Sequence, residues 1–208
     1  MLRNLRLRLR ALIGNQFGGT AVEYGLVFSL MILVTLGTVE VGLMMWQWNS
    51  AEKATQVGVR HAAVRGLVAP GLQLVGDAPT SGGDYGDWCR DRTTNTANAD
   101  CWFDTVTCTS DGCSGGYGYD ADAFDALVQR MRTMFPLVEP ENVEIDYAFS
   151  GLGFIGRPGG QPMVVTVRLR NMRYDFFLLD VFTALPDLIS MPTFAATLVG
   201  EDMSDSTL

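Results

Sequence analysis

The stretch AVEYGLVFSLMILVTLGTVEVGLMMW, from Ala21 to Trp46, constrains this chain more than any other feature, because only Glu23 and Glu40 interrupt its apolar character. At a rise of about 1.5 Å per residue, a helix of that length covers roughly 39 Å, more than the ~30 Å of a hydrocarbon core. Helices buried in soluble proteins seldom stay apolar on all faces for so many turns. A secretory signal is the closer competitor, but its apolar region is only about 7 to 15 residues long and an Ala-x-Ala-like site follows it. No such site follows directly here. The expectation is therefore a membrane-spanning helix over about 21–46, with Trp46 and Trp48 at the interface.

Charge gives that span a direction. Arg3, Arg6, Arg8 and Arg10 precede Gly19 without any acid, so the rest of the chain holds 11 basic against 23 acidic residues, a net −12. The positive-inside rule then puts the N-terminus in the cytoplasm, against an anionic leaflet, and the acidic body outside. An acidic body repels phosphate, so nucleic acid is not an expected partner.

Beyond Trp48 the stretch SAEKATQVGVRHAAVRG continues without proline, with Ala54, Val57, Ala62 and Val64 among charged residues. One helix is predicted from near Thr20 to near Arg65, amphipathic in its second half and stopped by Gly66 and Pro70. Residues 67–118 are rich in Gly, Asp, Thr and Ser and contain all four cysteines, which reads as a long loop needing staples. An outer location permits disulfides, and four cysteines allow three pairings; closing the shortest loops pairs Cys89 with Cys101 and Cys108 with Cys113. The cysteine spacing lacks the paired CxxC pattern of a zinc site.

Asp120 to Phe135 places Phe124, Leu127, Val128, Met131 and Phe135 at helical spacing, opened by Asp120 and stopped by Pro136. VEIDYAF at 143–149 and PMVVTVRLR at 162–170 alternate apolar with polar residues and predict two half-buried antiparallel strands. A further strand or short helix is expected in 174–183, and a short apolar stretch precedes a mobile acidic end. The predicted fold class is α+β: a long N-terminal pilin-like helix, then a small outer domain whose second helix packs on an antiparallel sheet. The expected boundaries are 1–18 for a basic leader, 19–66 for the long helix and 67–208 for the outer domain.

The motif GGTAVEYGLV at 18–27 sits between the arginines and the apolar run. It resembles a type IV prepilin processing site in its tight-adherence (Tad, or Flp) form, where Glu is followed by Tyr. The resemblance implies that a membrane prepilin peptidase cuts between Gly18 and Gly19, leaving Glu23 as the fifth residue of the mature chain. The physics agrees: two glycines weaken a helix start, and an ionised carboxylate one turn inside an apolar layer is costly unless paired. Cleavage would create a partner, the α-amine of Gly19. A helix macrodipole could also favour Glu23, with no role in assembly.

The chain further resembles the TadE-like group of minor pilins or pseudopilins, through Val22-Glu23-Tyr24, then Glu40-Val41-Gly42, then Arg60, Ala62, Ala63 and Arg65. Where that family often has proline, this sequence has Ser29 and Leu30. The resemblance implies a structural subunit of the bacterial inner membrane, possessing no catalytic residue, cofactor or metal. Its implied partners are the prepilin peptidase, other pilin subunits, an inner-membrane assembly platform and lipid. Glu23, Tyr24 and Glu40 are the expected assembly residues, Glu40 either reaching toward the outer interface or pairing with a basic group of another subunit.

Other signals are weaker. GLGFIG at 151–156 satisfies GxGxxG, but RPGGQP follows it, which cannot open the helix a dinucleotide site needs. The only histidine, His61, lies beside Arg60 on the long helix. Asp120 with Asp122 could in principle serve a glycosidase, and Asp84, Asp87, Asp91, Asp100 and Asp104 could meet calcium, although the EF-hand order is missing. The competing functional class is a signal-anchored periplasmic or surface protein whose outer domain binds a ligand or adheres.

Overall fold

The computed structural model describes residues 17–174 and 191–200. Helix α1, Phe17–Val64, is unbroken over 48 residues. Proline is absent from it, and its hydroxyls bond back to carbonyls of the preceding turn: Ser29 donates to the Leu26 carbonyl, and Thr35 to those of Met31 and Ile32. Two compact units divide the described chain, with residues 17–45 in one and 46–174 plus 191–200 in the other.

In the second unit α1 turns amphipathic. Ala51, Ala54, Thr55, Gly58, Val59 and Ala62 form its buried stripe at helical spacing, whereas Val57 is half-buried and Val64 exposed, so the stripe is not the one expected from the apolar residues alone. The residues are small because the approach is close. A Cβ on Gly58 would stand 2.8 Å from Met131 Sδ and 3.4 Å from Val167 Cγ1. After Val64 the chain leaves the helix through Gly66, and Pro70 opens a short 3-10 turn, Pro70–Leu74.

The sheet has five antiparallel strands: β1 (Val106–Thr109), β2 (Gly112–Cys113), β3 (Val143–Phe149), β4 (Met163–Leu169) and β5 (Phe194–Gly200), in the order β2-β1-β3-β4-β5. Register pairs Val106 with Tyr147, Ile145 with Val167, and Leu169 with Phe194, which gathers these apolar side chains on one face. Helix α2, Ala121–Arg132, buries Phe124, Leu127, Val128 and Met131. Its Asp120 N-cap accepts from the Ala123 amide at 3.0 Å. The helix stops three residues short of Phe135, since the residue before Pro136 is biased away from helix, but Phe135 is still buried.

β4 is half-buried as expected; β3 is not. Glu144 and Asp146 are buried on its second face. Arg168, across the register on β4, is paired with both, and Arg170 reaches Glu144 at 2.6 Å. Thr107 donates to Asp146 at 2.8 Å. The loop expected over 67–118 contains β1 and β2, and the terminal apolar stretch is β5. The element expected in 174–183 lies outside the described residues except for Tyr174, and so do the leader up to residue 16 and the acidic end.

Candidate membrane and assembly site

The processing and assembly residues all lie on α1. Gly18 and Gly19 are helical, at the N-terminal end of the described part of α1. A Cβ on Gly19 would meet nothing within 4 Å, so packing inside the chain does not call for glycine there. The same is true of Gly25, Gly37 and Gly42. Glu23 follows Gly19 by four residues, one turn on, and is exposed. Tyr24 is 78% exposed, as are most apolar side chains around it, including Leu26, Phe28, Leu30 and Met31.

Apolar exposure runs along most of residues 19–45. From Gly19 the helix is long and apolar enough to cross a membrane, and it lies near the N-terminus. The hydroxyls that would be orphaned in hydrocarbon are already paired with carbonyls of the preceding turn. Glu40 differs from everything around it: it is 4% exposed and engaged in an interaction. Seventeen residues, or about 26 Å along the axis, separate it from Glu23. The helix therefore does not bring the two acids together.

At the start of the second unit, Trp46 is exposed and Trp48 sets its ring edge-on to Phe194 at 5.4 Å. His61 is half-buried where α1 approaches α2, and desolvation, aided by Arg65 and Arg130, lowers its pKa below 6.5. It stays neutral near pH 7 and lines a cleft with Arg65, Asp120 and Asp122. Asp120 is engaged as a helix cap.

The cysteines pair Cys89 with Cys101 and Cys108 with Cys113. The second pair joins register partners on β1 and β2. The first is buried against Ile155, with Phe149 packed alongside. The GLGFIG segment is a clasp for that disulfide loop: the Cys89 amide donates to the Gly153 carbonyl at 3.1 Å, and the Ile155 amide to the Asp87 carbonyl at 2.9 Å. Gly153, at φ 95°, is required twice over, since a Cβ there would stand 2.1 Å from Gln161 Oε1.

Among the acids weighed for calcium, Asp100 has a different use. Its carboxylate accepts from the Thr80 amide and hydroxyl and from the Ser81 and Gly83 amides, which holds its pKa down to about 2. No group of three acidic, histidine or cysteine side chains among the described residues is arranged to hold a metal ion. Sequence reasoning weighed Asp100 only as one of several acids that could meet calcium, because nothing local shows that residues 80–83 return to it.

No curated protein and no solved structure matches this chain. A family model does, over residues 18–60, which takes in the glycine pair, Glu23, Tyr24, the apolar span and Glu40. That match, at residues 18–60, is to the TadE-like protein family and is consistent with a pilus-associated protein.

Proposed function

We propose that this chain is a structural subunit, a minor pilin or pseudopilin, of a Tad-type pilus, and that its mechanism is assembly rather than turnover. A prepilin peptidase hydrolyses the Gly18–Gly19 bond on the cytoplasmic side and releases the arginine-rich leader. Residues 21–46 remain in the inner membrane, and the domain beyond them faces outward. The observation that carries this reading is Glu23, one turn from the glycine pair, on an exposed apolar helix within the TadE-like match.

The mechanism follows from charge. The new α-amine of Gly19 has an ordinary pKa of about 8 and is cationic near neutrality. A carboxylate at the edge of a hydrocarbon layer gains most when such a cation neutralises it, from its own chain or an incoming subunit. An unpaired subunit is thus less stable in the layer than a docked one, which drives and aligns addition. Gly25 and Gly37, where no side chain of this chain needs the space, suit close approach by neighbouring helices. Partners are other pilin subunits, the assembly platform and lipid.

In a piliated cell, Glu23→Gln in the full chain should leave leader removal intact and reduce filaments by about tenfold or more, the scale of one lost ~1.4 kcal/mol contact. Normal filament numbers would remove Glu23 from the mechanism.

A further inference from the structure

The disulfide loop carries a feature that pilus assembly does not use. Between Cys89 and Cys101 the chain folds back on itself: Arg90 bridges Ala97, the Asp91 amide donates to the Thr96 carbonyl, and the Asn98 amide to the Cys89 carbonyl, the last two at 2.9 Å. Together with Asp87 and Trp88 this hairpin lines a cleft of about 450 Å³. That volume lies within the ~300 to 1,000 Å³ usual for small-ligand sites. A disulfide at its base and a bridge from Trp88 to Phe154 hold the frame, so little ordering remains for a ligand to impose.

The lining is one large aromatic ring among polar groups. Trp88 is 52% exposed, although the Arg92 guanidinium lies 4.4 Å from its ring centroid and fixes its orientation. The neighbouring polar side chains are anchored from within the loop. Asp87 accepts the Asp84 amide on Oδ2, Asp91 the Thr93 and Thr94 amides on Oδ1, and Asn98 the Asp100 amide on Oδ1. Asp87, Asp91, Thr93 and Asn98 thus line the cleft as side chains that the loop itself holds in place.

Such a set discriminates among ligand classes. Two carboxylates disfavour anions, and the only cation lining the cleft is engaged with the indole. A protein partner calls for an apolar centre ringed by polar groups, whereas here a single indole is surrounded by polar ones. Neutral polyhydroxyl rings match both halves: their C–H faces stack on an indole, and their hydroxyls donate to carboxylates and accept from an amide. We propose that this cleft is a binding subsite for a neutral carbohydrate chain, with the Trp88 indole as its stacking platform. The inference needs only the outer domain and is independent of leader cleavage.

Full-length protein in lipid nanodiscs, titrated with cellohexaose, chitohexaose and maltohexaose by calorimetry and saturation-transfer NMR, tests it. At least one hexasaccharide should bind with Kd on the order of 1 mM or tighter. Trp88→Ala should weaken binding roughly tenfold or more, while Trp88→Phe retains a stacking ring and stays within about threefold. Trp102→Ala, outside the cleft, should bind as the unaltered protein does, and the Cys89–Cys101 linkage in each variant, read by mass spectrometry, shows that the loop has formed. Failure of all three sugars to bind, or equal binding by Trp88→Ala, would overturn the proposal. So would salt-sensitive binding of hexalysine at the cleft without sugar binding, which would make it an electrostatic protein contact.

Discussion

Asp100 shows how one side chain can organise a loop that has almost no core. Its two oxygens close residues 80–83 onto the disulfide hairpin, and only the ionised form accepts all of those bonds. Since folding lowers its pKa from 3.8 to about 2, its stabilisation is complete above about pH 4 and is lost as pH falls toward 2. Hydrogen exchange of the Thr80, Ser81 and Gly83 amides should accelerate across that window, and in Asp100→Asn it should be fast at neutral pH. Arg168 works differently, through Coulomb attraction to two buried acids. Breaking a fully buried pair costs about 3–5 kcal/mol, but the Arg168 side chain keeps 31% exposure, so Arg168→Met should cost about 2 kcal/mol in denaturant unfolding. Tyr147 completes the buried polar set, accepting from the Val68 amide at 3.2 Å while burial pushes its pKa up to about 12.

At the scale of elements, the small-residue stripe of α1 sets how closely it lies on its neighbours. Gly58→Val would push against Met131 and Val167 and should destabilise the second unit by about 1–3 kcal/mol, measurable as a lowered denaturant midpoint. The Cys89–Cys101 link closes a loop of sequence separation 12, and replacing both cysteines with serine should remove about 3 kcal/mol and open residues 77–104 to limited proteolysis. Elements with a clear period were legible in the sequence: the C-terminal end of α1 was anticipated within about one residue, and the β3–β4 pair almost to the residue. Those without one were not. β1 and β2 hold four and two residues, too few to show alternation. β5 alternates Phe194, Ala196 and Leu198 with Ala195, Thr197 and Val199, and two faces of such similar polarity mask a strand. The buried acids of β3 were read as solvated because their partners come from β4, through a register that sequence alone does not display.

Taken as a molecule, the chain joins two different solvents' worth of design. Residues 19–45 expose apolar side chains at most positions, a surface that water does not tolerate, whereas the second unit has a closed core, a paired charge face and two disulfides. The candidate site was legible for the same reason as α1: Glu23 stands out only because everything near it is apolar. What sequence could not supply was the aromatic cleft, whose residues are near in the chain but acquire their arrangement from the hairpin and from Phe154.

The central claim is that Glu23 acquires its counter-charge when the leader leaves. Intact-mass analysis of the protein from piliated cells, with and without an active prepilin peptidase, tests this most directly. The account predicts a mature chain beginning at Gly19 only where the peptidase is active. A chain that still begins at Met1 in piliated, peptidase-active cells would contradict it.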